Sequence, residues 1–136
     1  MTIAERFAEF LMDTRYDEIA DQAVDHAAMI VASTLASAAC GRHIASSRIV
    51  SEIEIQRGGT REASVWFEKD VRLPVIGAAR ANALMSDAAA SDDSDLRNIV
   101  HAGTPLTATA LAVAEATGAS GKDILAAIVV GYEAAG

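Results

Sequence analysis

The sequence predicts an all-α domain of about five or six helices with one short β-hairpin, and three observations support this. Hydrophobic residues make up 51% of the 136 residues and aromatic residues only 4%, so the core must consist mainly of Ala, Ile, Leu and Val. Such small side chains suit closely packed helices. Apolar residues recur at three- and four-residue spacing along most of the chain, and period-2 alternation occurs only between Ala63 and Leu73. A chain of this length is expected to form one core, so residues 1–136 are predicted to be a single helical domain.

The N-terminal segment predicts a short amphipathic helix. Thr2 is a suitable N-cap, and Ile3, Phe7, Phe10 and Leu11 fall on one face at helical spacing. This face needs a partner surface.

Two further helices are predicted before the hairpin. Asp17 is a plausible cap for a long helix that reaches about Ala39, and Gly41 is a natural stop. The segment from Ile44 to Gln56 is interpreted as a third helix, although Ile53-Glu54-Ile55 also fits the alternation of a strand.

The alternating segment from Ala63 to Leu73 predicts a small hairpin around a polar turn. Two strands alone are marginally stable in water, so the hairpin must lie against the helices, with Trp66 as the expected anchor. Pro74 then begins a fourth helix that reaches Ala90.

The last third of the chain predicts two helices that form an αα-hairpin. Thr104-Pro105 has the pattern of a cap followed by proline, and Gly118 ends that helix. Ser120 caps the next helix, with Asp123 at the position of the acid in a capping box.

Charge and composition argue against several functional classes. The formal net charge of -8 disfavours nucleic acid, because affinity for a phosphate backbone comes largely from lysine and arginine. No apolar run is expected to reach the ~18 residues of a membrane span, and the N-terminus lacks the apolar region of a secretory signal. We therefore expect a cytoplasmic protein with no nucleic-acid partner and no membrane partner.

The single cysteine and two of the histidines are predicted to be structural. Cys40 cannot form an internal disulfide, and its neighbours Ala39 and Gly41 indicate buried packing. His26 lies in the middle of the second helix, and His43 follows its end, where a cation meets the negative end of the helix dipole.

The segment Asp92–Pro105 is the one place where acidic, basic, hydroxyl and imidazole groups crowd together. It lies between two predicted helices, and loops held by rigid elements often carry functional residues. The same residue types are also ordinary turn chemistry, in which Asp and Ser side chains satisfy nearby backbone groups and His101 only caps the next helix. The residues alone leave both interpretations open.

Short motifs along nearly the whole chain resemble a known family. These are Glu62–Val65, Arg72–Pro74, Ala79–Leu84, Asp92–Ser94, His101–Pro105, Leu111–Glu115, Gly118–Asp123 and Gly131–Glu133. In this order and spacing they resemble the N-terminal part of the MmgE/PrpD family, which includes 2-methylcitrate dehydratase, cis-aconitate decarboxylase and iminodisuccinate epimerase.

The resemblance implies a substrate class and a reaction type. Members of this family act on small di- and tricarboxylates by dehydration, decarboxylation or epimerisation, reactions that move a proton at a carbon next to a carboxylate. Such chemistry needs an acid/base pair and hydrogen-bonding or cationic clamps. No metal or organic cofactor is implied, and no Cys/His spacing or glycine-rich loop in the sequence indicates one.

For this chemistry His101 is the expected proton carrier, because imidazole is the side chain whose charge changes near neutral pH. Asp93, or its neighbour Asp92, would orient the imidazole or stabilise its charge. His101 and Asp93 are therefore the predicted catalytic residues.

The substrate is expected to be held by the rest of the loop. Ser94 would hydrogen-bond a carboxylate, and Arg97 would hold it through two parallel hydrogen bonds. Thr104, at a helix start, would add backbone N–H groups suited to an anion. The predicted substrate-binding residues are Ser94, Arg97, Asp92 and Thr104.

The sequence departs from the family pattern at two points. The typical Asp-x-Asp-Asp-Thr motif begins with an acid at the position of Ala90, and the gap from Ser94 to His101 is one residue longer than usual. Complete members of the family are also several times longer, with further catalytic residues beyond the part that this chain resembles.

Two hypotheses for function follow. The leading one is an N-terminal segment of an MmgE/PrpD-type lyase or isomerase, similar to 2-methylcitrate dehydratase and acting on a small di- or tricarboxylate. The alternative is a non-catalytic, truncated helical module. Because its last helix is apolar up to Gly136, the chain is expected to be a piece of a longer fold, inactive alone, that forms a homo-oligomer or pairs with a completing partner chain.

Overall fold

The computed structural model, which describes residues 1–136, confirms an all-α architecture of six helices with one two-stranded antiparallel hairpin. The hairpin pairs Ala63 with Leu73 and Ser64 with Arg72, within the predicted segment. The segment Ile53-Glu54-Ile55, which also fitted a strand, lies within a helix that spans Ala45–Arg57. The elements are α1 (Ile3–Asp13), α2 (Asp21–Gly41), α3 (Ala45–Arg57), β1 (Ala63–Ser64), β2 (Arg72–Leu73), α4 (Val75–Ala88), α5 (Gly103–Thr117) and α6 (Gly121–Ala135).

Two of the predicted helix starts are confirmed at the level of individual hydrogen bonds. Thr2 accepts from the N–H of Glu5, and the Glu5 carboxylate accepts from the N–H of Thr2. Ser120 and Asp123 form the same reciprocal capping box at the start of α6. Each box satisfies backbone donors that a helix start leaves free, which explains why the sequence predicted these boundaries well.

Two other starts differ from the prediction. Asp17 lies in a short 3-10 helix (Tyr16–Glu18), and α2 begins only at Asp21. Helix α5 begins at Gly103, so Thr104 and Pro105 are its second and third residues and Thr104 is not the cap. Pro105 still lies in the first turn, where its missing N–H costs nothing.

Helix α4 is the central element, since it packs against α2, α3 and α5. Small residues allow the close approach of these helices. A Cβ atom at Gly41, the last residue of α2, would lie 3.1 Å from the carbonyl carbon of Met85 and 3.2 Å from the nitrogen of Ala89. The main buried apolar cluster is correspondingly rich in alanine: Ala38, Ala63, Val65, Leu73, Ala78, Ala81, Met85 and Ala112.

A buried asparagine attaches the hairpin to α4. Asn82 is 1% exposed; its Oδ1 accepts from the N–H of Trp66 at 2.9 Å, and its Nδ2 donates to the carbonyl of Ser64 at 2.9 Å. Val65, which is 1% exposed, fills the core at this point, whereas Trp66 is half-buried against it. Trp66 thus packs against the core as expected, but it is not the only anchor, because the buried Val65 and the Asn82 hydrogen bonds also hold the hairpin.

The environment of Cys40 also differs from the prediction, since the residue is exposed and not buried. Its neighbours Ala39 and Gly41 lie on different sides of α2, and only Gly41 is packed against α4. Small neighbours in sequence therefore did not indicate burial here.

Helix α2 is the one helix long and apolar enough, by length and composition alone, to cross a membrane, with a mean hydropathy of 1.4 over its most apolar stretch. The sequence-based expectation that no segment reaches this threshold was thus too strict. Core helices of soluble proteins meet the same criterion, and α2 packs against α4, α5 and α6.

Candidate functional site

The loop between α4 and α5 is closed by its own acidic residue, Asp95. The N–H of Asp95 donates to the carbonyl of Val100 at 2.9 Å, and its own carbonyl accepts from the N–H of Ile99 at 2.8 Å. Its carboxylate accepts from the backbone of Arg97 and from the side chain of Asn98, each at 2.9 Å. The Arg97 hydrogen bond, followed by the Asn98 one, lowers the pKa of Asp95. The Asp95 carboxylate therefore stays ionised at neutral pH, and its hydrogen bonds stabilise the turn between Asp95 and Val100.

A second contact ties the beginning of the loop to α2. The hydroxyl of Ser37, which is 4% exposed, lies 3.1 Å from the carbonyl of Ser91 and 2.9 Å from its hydroxyl. Immediately before this contact the chain turns through Ala90, which has a left-handed φ of 49°. The loop therefore leaves α4 sharply and is caught by α2.

Asp93 is the residue that joins the loop to the last two helices. Its Oδ1 accepts from the N–H of Gly103 at 2.9 Å, at the start of α5, and its Oδ2 accepts from the hydroxyl of Tyr132 on α6. A Cβ atom at position 103 would lie 2.8 Å from Asp93 Cγ and 2.7 Å from the Tyr132 oxygen, so glycine is required there. The Asp93 carboxylate is therefore the anion that binds the N-terminus of α5.

His101 is held on one side of its ring and open on the other. Its Nδ1 lies 2.7 Å from the backbone carbonyl of Asp93 and 3.2 Å from Oδ2 of Asp92. A carbonyl oxygen can only accept, so Nδ1 carries the hydrogen and Nε2 of the neutral ring has a free lone pair. The side chain is 55% exposed. This is the geometry of a base that is available to a ligand.

The structure brings Asp92, Asp93 and His101 together, with the carboxylate of Asp92 and only the backbone carbonyl of Asp93 at the imidazole. It does not gather the substrate-binding candidates around them. Ser94 is exposed, and the Arg97 side chain is 90% exposed with Asp95 as its ionic partner at 3.7 Å. Their predicted roles as carboxylate clamps stay predictions.

Thr104 is placed in the α4–α5 interface. It is 5% exposed, and its hydroxyl lies 3.1 Å from that of Ser86. The hydroxyl therefore joins two helices, and the N–H of Gly103 at this helix start is already bound to Asp93. The predicted role of Thr104 in binding a substrate anion stays a prediction.

A cavity of about 280 Å³ lies beside Asp93, and its wall contains residues that sequence reasoning did not select. His26 and Ser33 are exposed side chains of α2, whereas Thr34 is 4% exposed. Tyr132 and His26 both line a neighbouring cavity of about 230 Å³. The sequence did not indicate that His26, Thr34 and Tyr132 line cavities, because the cavities depend on how α2 and α6 pack against the loop. The wall of the first cavity comprises His26, Met29, Ile30, Ser33, Thr34 and Asp93.

No group of three or more histidine, cysteine, aspartate or glutamate side chains is placed to hold a metal ion. The absence of a metal or organic cofactor stays a prediction from the sequence. The chemistry available at this site is proton transfer and hydrogen bonding by the side chains of the loop and the cavity wall.

Comparison with known proteins supports the family resemblance. A family model described as the MmgE/PrpD N-terminal domain matches residues 5–136. No curated protein and no solved structure was found to match the chain. Since the match covers nearly all of the chain, the chain belongs to the MmgE/PrpD family as an N-terminal domain.

Proposed function

We propose that the chain is the N-terminal segment of an MmgE/PrpD-type lyase or isomerase, similar to 2-methylcitrate dehydratase, that acts on a small di- or tricarboxylate in the cytoplasm. The reaction is proton transfer at a carbon next to a carboxylate. The observation that carries the proposal is His101, whose Nδ1 is fixed by the Asp93 carbonyl at 2.7 Å while Nε2 remains free on a side chain that is 55% exposed.

In this proposal His101 takes or returns the proton, and Asp92 stabilises the imidazolium that forms. The Asp92 carboxylate is well placed for this, because it lies 3.2 Å from Nδ1 and its side chain is only 13% exposed. The cavity beside Asp93 would receive the substrate, with Ser94 and Arg97 closing on a carboxylate when the ligand is present. Both are exposed and can reorient at low cost.

The acid/base set of the loop is small for such a reaction, so we propose that a partner completes it. The remaining groups would come from a second copy of the chain, from a completing partner chain or from further sequence of the same protein. The 136 residues alone are expected to show no turnover.

The proposal is tested by assaying 2-methylcitrate, cis-aconitate and iminodisuccinate with the chain alone and with its completed assembly. We expect turnover of one of the three by the assembly, and a loss of about a hundredfold or more in kcat for His101→Gln, as when a general base is removed. His43→Gln is the matched control, because His43 is exposed outside the loop and its ring accepts a hydrogen bond from the exposed neighbour Arg42.

An unchanged rate in a folded His101→Gln variant would return His101 to a structural role. Absence of turnover of all three substrates by the completed assembly would refute the proposed activity.

A second candidate function, a non-catalytic helical module that assembles with itself, is favoured by α1. This helix has no buried residue, and its apolar side chains are exposed, including Ile3 at 87%, Phe7 at 43% and Phe10 at 40%. Exposed apolar faces of this kind commonly mark association surfaces.

Light scattering on the purified chain tests the module hypothesis. Self-association is expected, and Phe10→Asp should weaken it, whereas Ala8→Asp, on the opposite side of α1, should not. A monodisperse monomer at micromolar to millimolar concentration would contradict the module hypothesis.

A further inference from the structure

We propose that Tyr132 is a positioning residue for His101 and acts through Asp93. The inference rests on the proposed function for its catalytic consequence, but its structural content does not depend on turnover. Tyr132 lies on α6, well separated in sequence from the loop, and its hydroxyl binds Asp93 and not the imidazole of His101.

The connection runs through one residue that is held at both its side chain and its backbone. The hydroxyl of Tyr132 donates to Oδ2 of Asp93, while Oδ1 accepts from the N–H of Gly103 at 2.9 Å. The backbone carbonyl of the same Asp93 accepts from Nδ1 of His101 at 2.7 Å. Fixing the carboxylate from two sides therefore fixes the orientation of the carbonyl that selects the His101 tautomer.

Tyr132 is suited to this role because its own position is rigid. Ile128, one turn earlier on α6, is 0% exposed and anchors that face of the helix in the core. Close packing also fills the space around the contact, since a Cβ atom at Gly103 would lie 2.7 Å from the Tyr132 oxygen. Burial, followed by the hydrogen bond to Asp93, raises the pKa of Tyr132, so the hydroxyl remains a neutral donor.

Loss of this hydroxyl has a defined alternative. Asp93 would keep only the Gly103 N–H as a partner for its carboxylate, and the residue could then rotate. His101 would lose its shorter acceptor, the Asp93 carbonyl at 2.7 Å, and keep only the longer contact with Oδ2 of Asp92 at 3.2 Å. An exposed ring whose Nδ1 is held less firmly carries its hydrogen on Nε2 for a larger share of the time. Tyr132 therefore shifts the balance between the two neutral tautomers towards hydrogen on Nδ1.

The test is the tautomer of His101, measured from imidazole ¹⁵N chemical shifts in the folded chain at a pH where the ring is neutral. The wild-type chain is expected to show hydrogen on Nδ1, and Tyr132→Phe is expected to show a mixture of both tautomers. Tyr16→Phe is the matched control, because it removes the same hydroxyl from the other tyrosine, which stacks with Lys122 far from the loop in sequence.

A second variant protects the test against a folding defect. Asp93→Asn keeps the size of the side chain and the backbone carbonyl but replaces the acceptor that Tyr132 and Gly103 share. It should shift the tautomer ratio in the same direction. Circular dichroism identifies which variants are folded. If Tyr132→Phe does not fold, the tautomer ratio of Asp93→Asn tests the inference.

In an assembly that turns over substrate, Tyr132→Phe is expected to lower kcat roughly tenfold with little change in KM, as for other groups that orient a reacting histidine. A wild-type tautomer ratio in the folded variants would overturn the inference. That result would leave the proposed function untouched, whereas an inactive assembly with the expected tautomer shift would refute only the function.

Discussion

At the scale of single residues, the three acidic side chains of the loop have different partners. Asp95 satisfies backbone groups within its own turn, and Asp93 satisfies the start of α5. Asp92 contacts the imidazole of His101. The turn-chemistry interpretation therefore holds for Asp95 and Asp93, whereas the functional interpretation stays a prediction for Asp92 and His101.

This division could not be obtained from sequence spacing. Adjacent aspartates have identical chemistry, and the partner that distinguishes Asp93 is Tyr132, which comes from a different helix. Tyr132 follows the buried Ile128 by four residues on α6, and this helical spacing indicates packing but not the acceptor that the hydroxyl finds.

The close approach at Gly103 gives a stability prediction. Gly103→Ala would force a Cβ atom against Asp93 and Tyr132, so the free energy of unfolding should fall by about 1–3 kcal/mol. Gly121→Ala is the control, because a Cβ atom there meets nothing, and it should change stability by less than about 0.5 kcal/mol. Urea denaturation measures both. Equal stability of the two variants would contradict the packing described at Gly103.

At the scale of elements, boundaries that are set by local hydrogen bonds were the most predictable. The capping boxes at Thr2 and Ser120 and the left-handed residue Gly118 after α5 lie where the sequence placed them. The starts of α2 and α5 were missed because the residue just before each helix has no capping side chain, and the side chain that does meet the start of α5, Asp93, lies earlier in the loop. Their positions depend on the segments that precede them, which local propensity does not describe.

The hairpin shows the same limit, since its strands were predictable and its attachment was not. Asn82→Ala should lower the free energy of unfolding by about 2–4 kcal/mol, because two part-buried backbone groups, at Ser64 and Trp66, lose their partner. Asn98→Ala is the control, because it removes only an exposed hydrogen bond to Asp95, and a change of about 1 kcal/mol or less is expected. Thermal or urea unfolding would refute the assignment if the two variants were equally stable.

At the scale of the whole molecule, burial is concentrated at one side of the fold. Helix α4 contributes six buried residues, whereas α1 contributes none. Native-state hydrogen exchange should therefore be fastest in α1 and slowest in α4, because local opening requires least energy where few apolar contacts are lost. Mass spectrometry of exchanged peptides measures this. Comparable protection of the two helices would show that α1 is held by a partner surface, which is the outcome expected of an assembled form.

The fold class and the family were predictable because they depend on patterns spread along the chain, such as periodicity and the order of short motifs. The candidate site was predictable only in its loop. His26 and Thr34 line the cavity because α2 packs beside Asp93. The residue pattern of α2 does not distinguish side chains that line a cavity from other side chains of the helix.

Ala90 has an evolutionary consequence. The left-handed backbone at this exposed position, with φ of 49°, is one that aspartate and asparagine adopt more readily than alanine. The resembled family pattern has an acid at this position. Because the backbone already has the conformation that aspartate tolerates, alanine and aspartate can replace one another here without reshaping the turn, so the chemistry of the site can change while its backbone is kept.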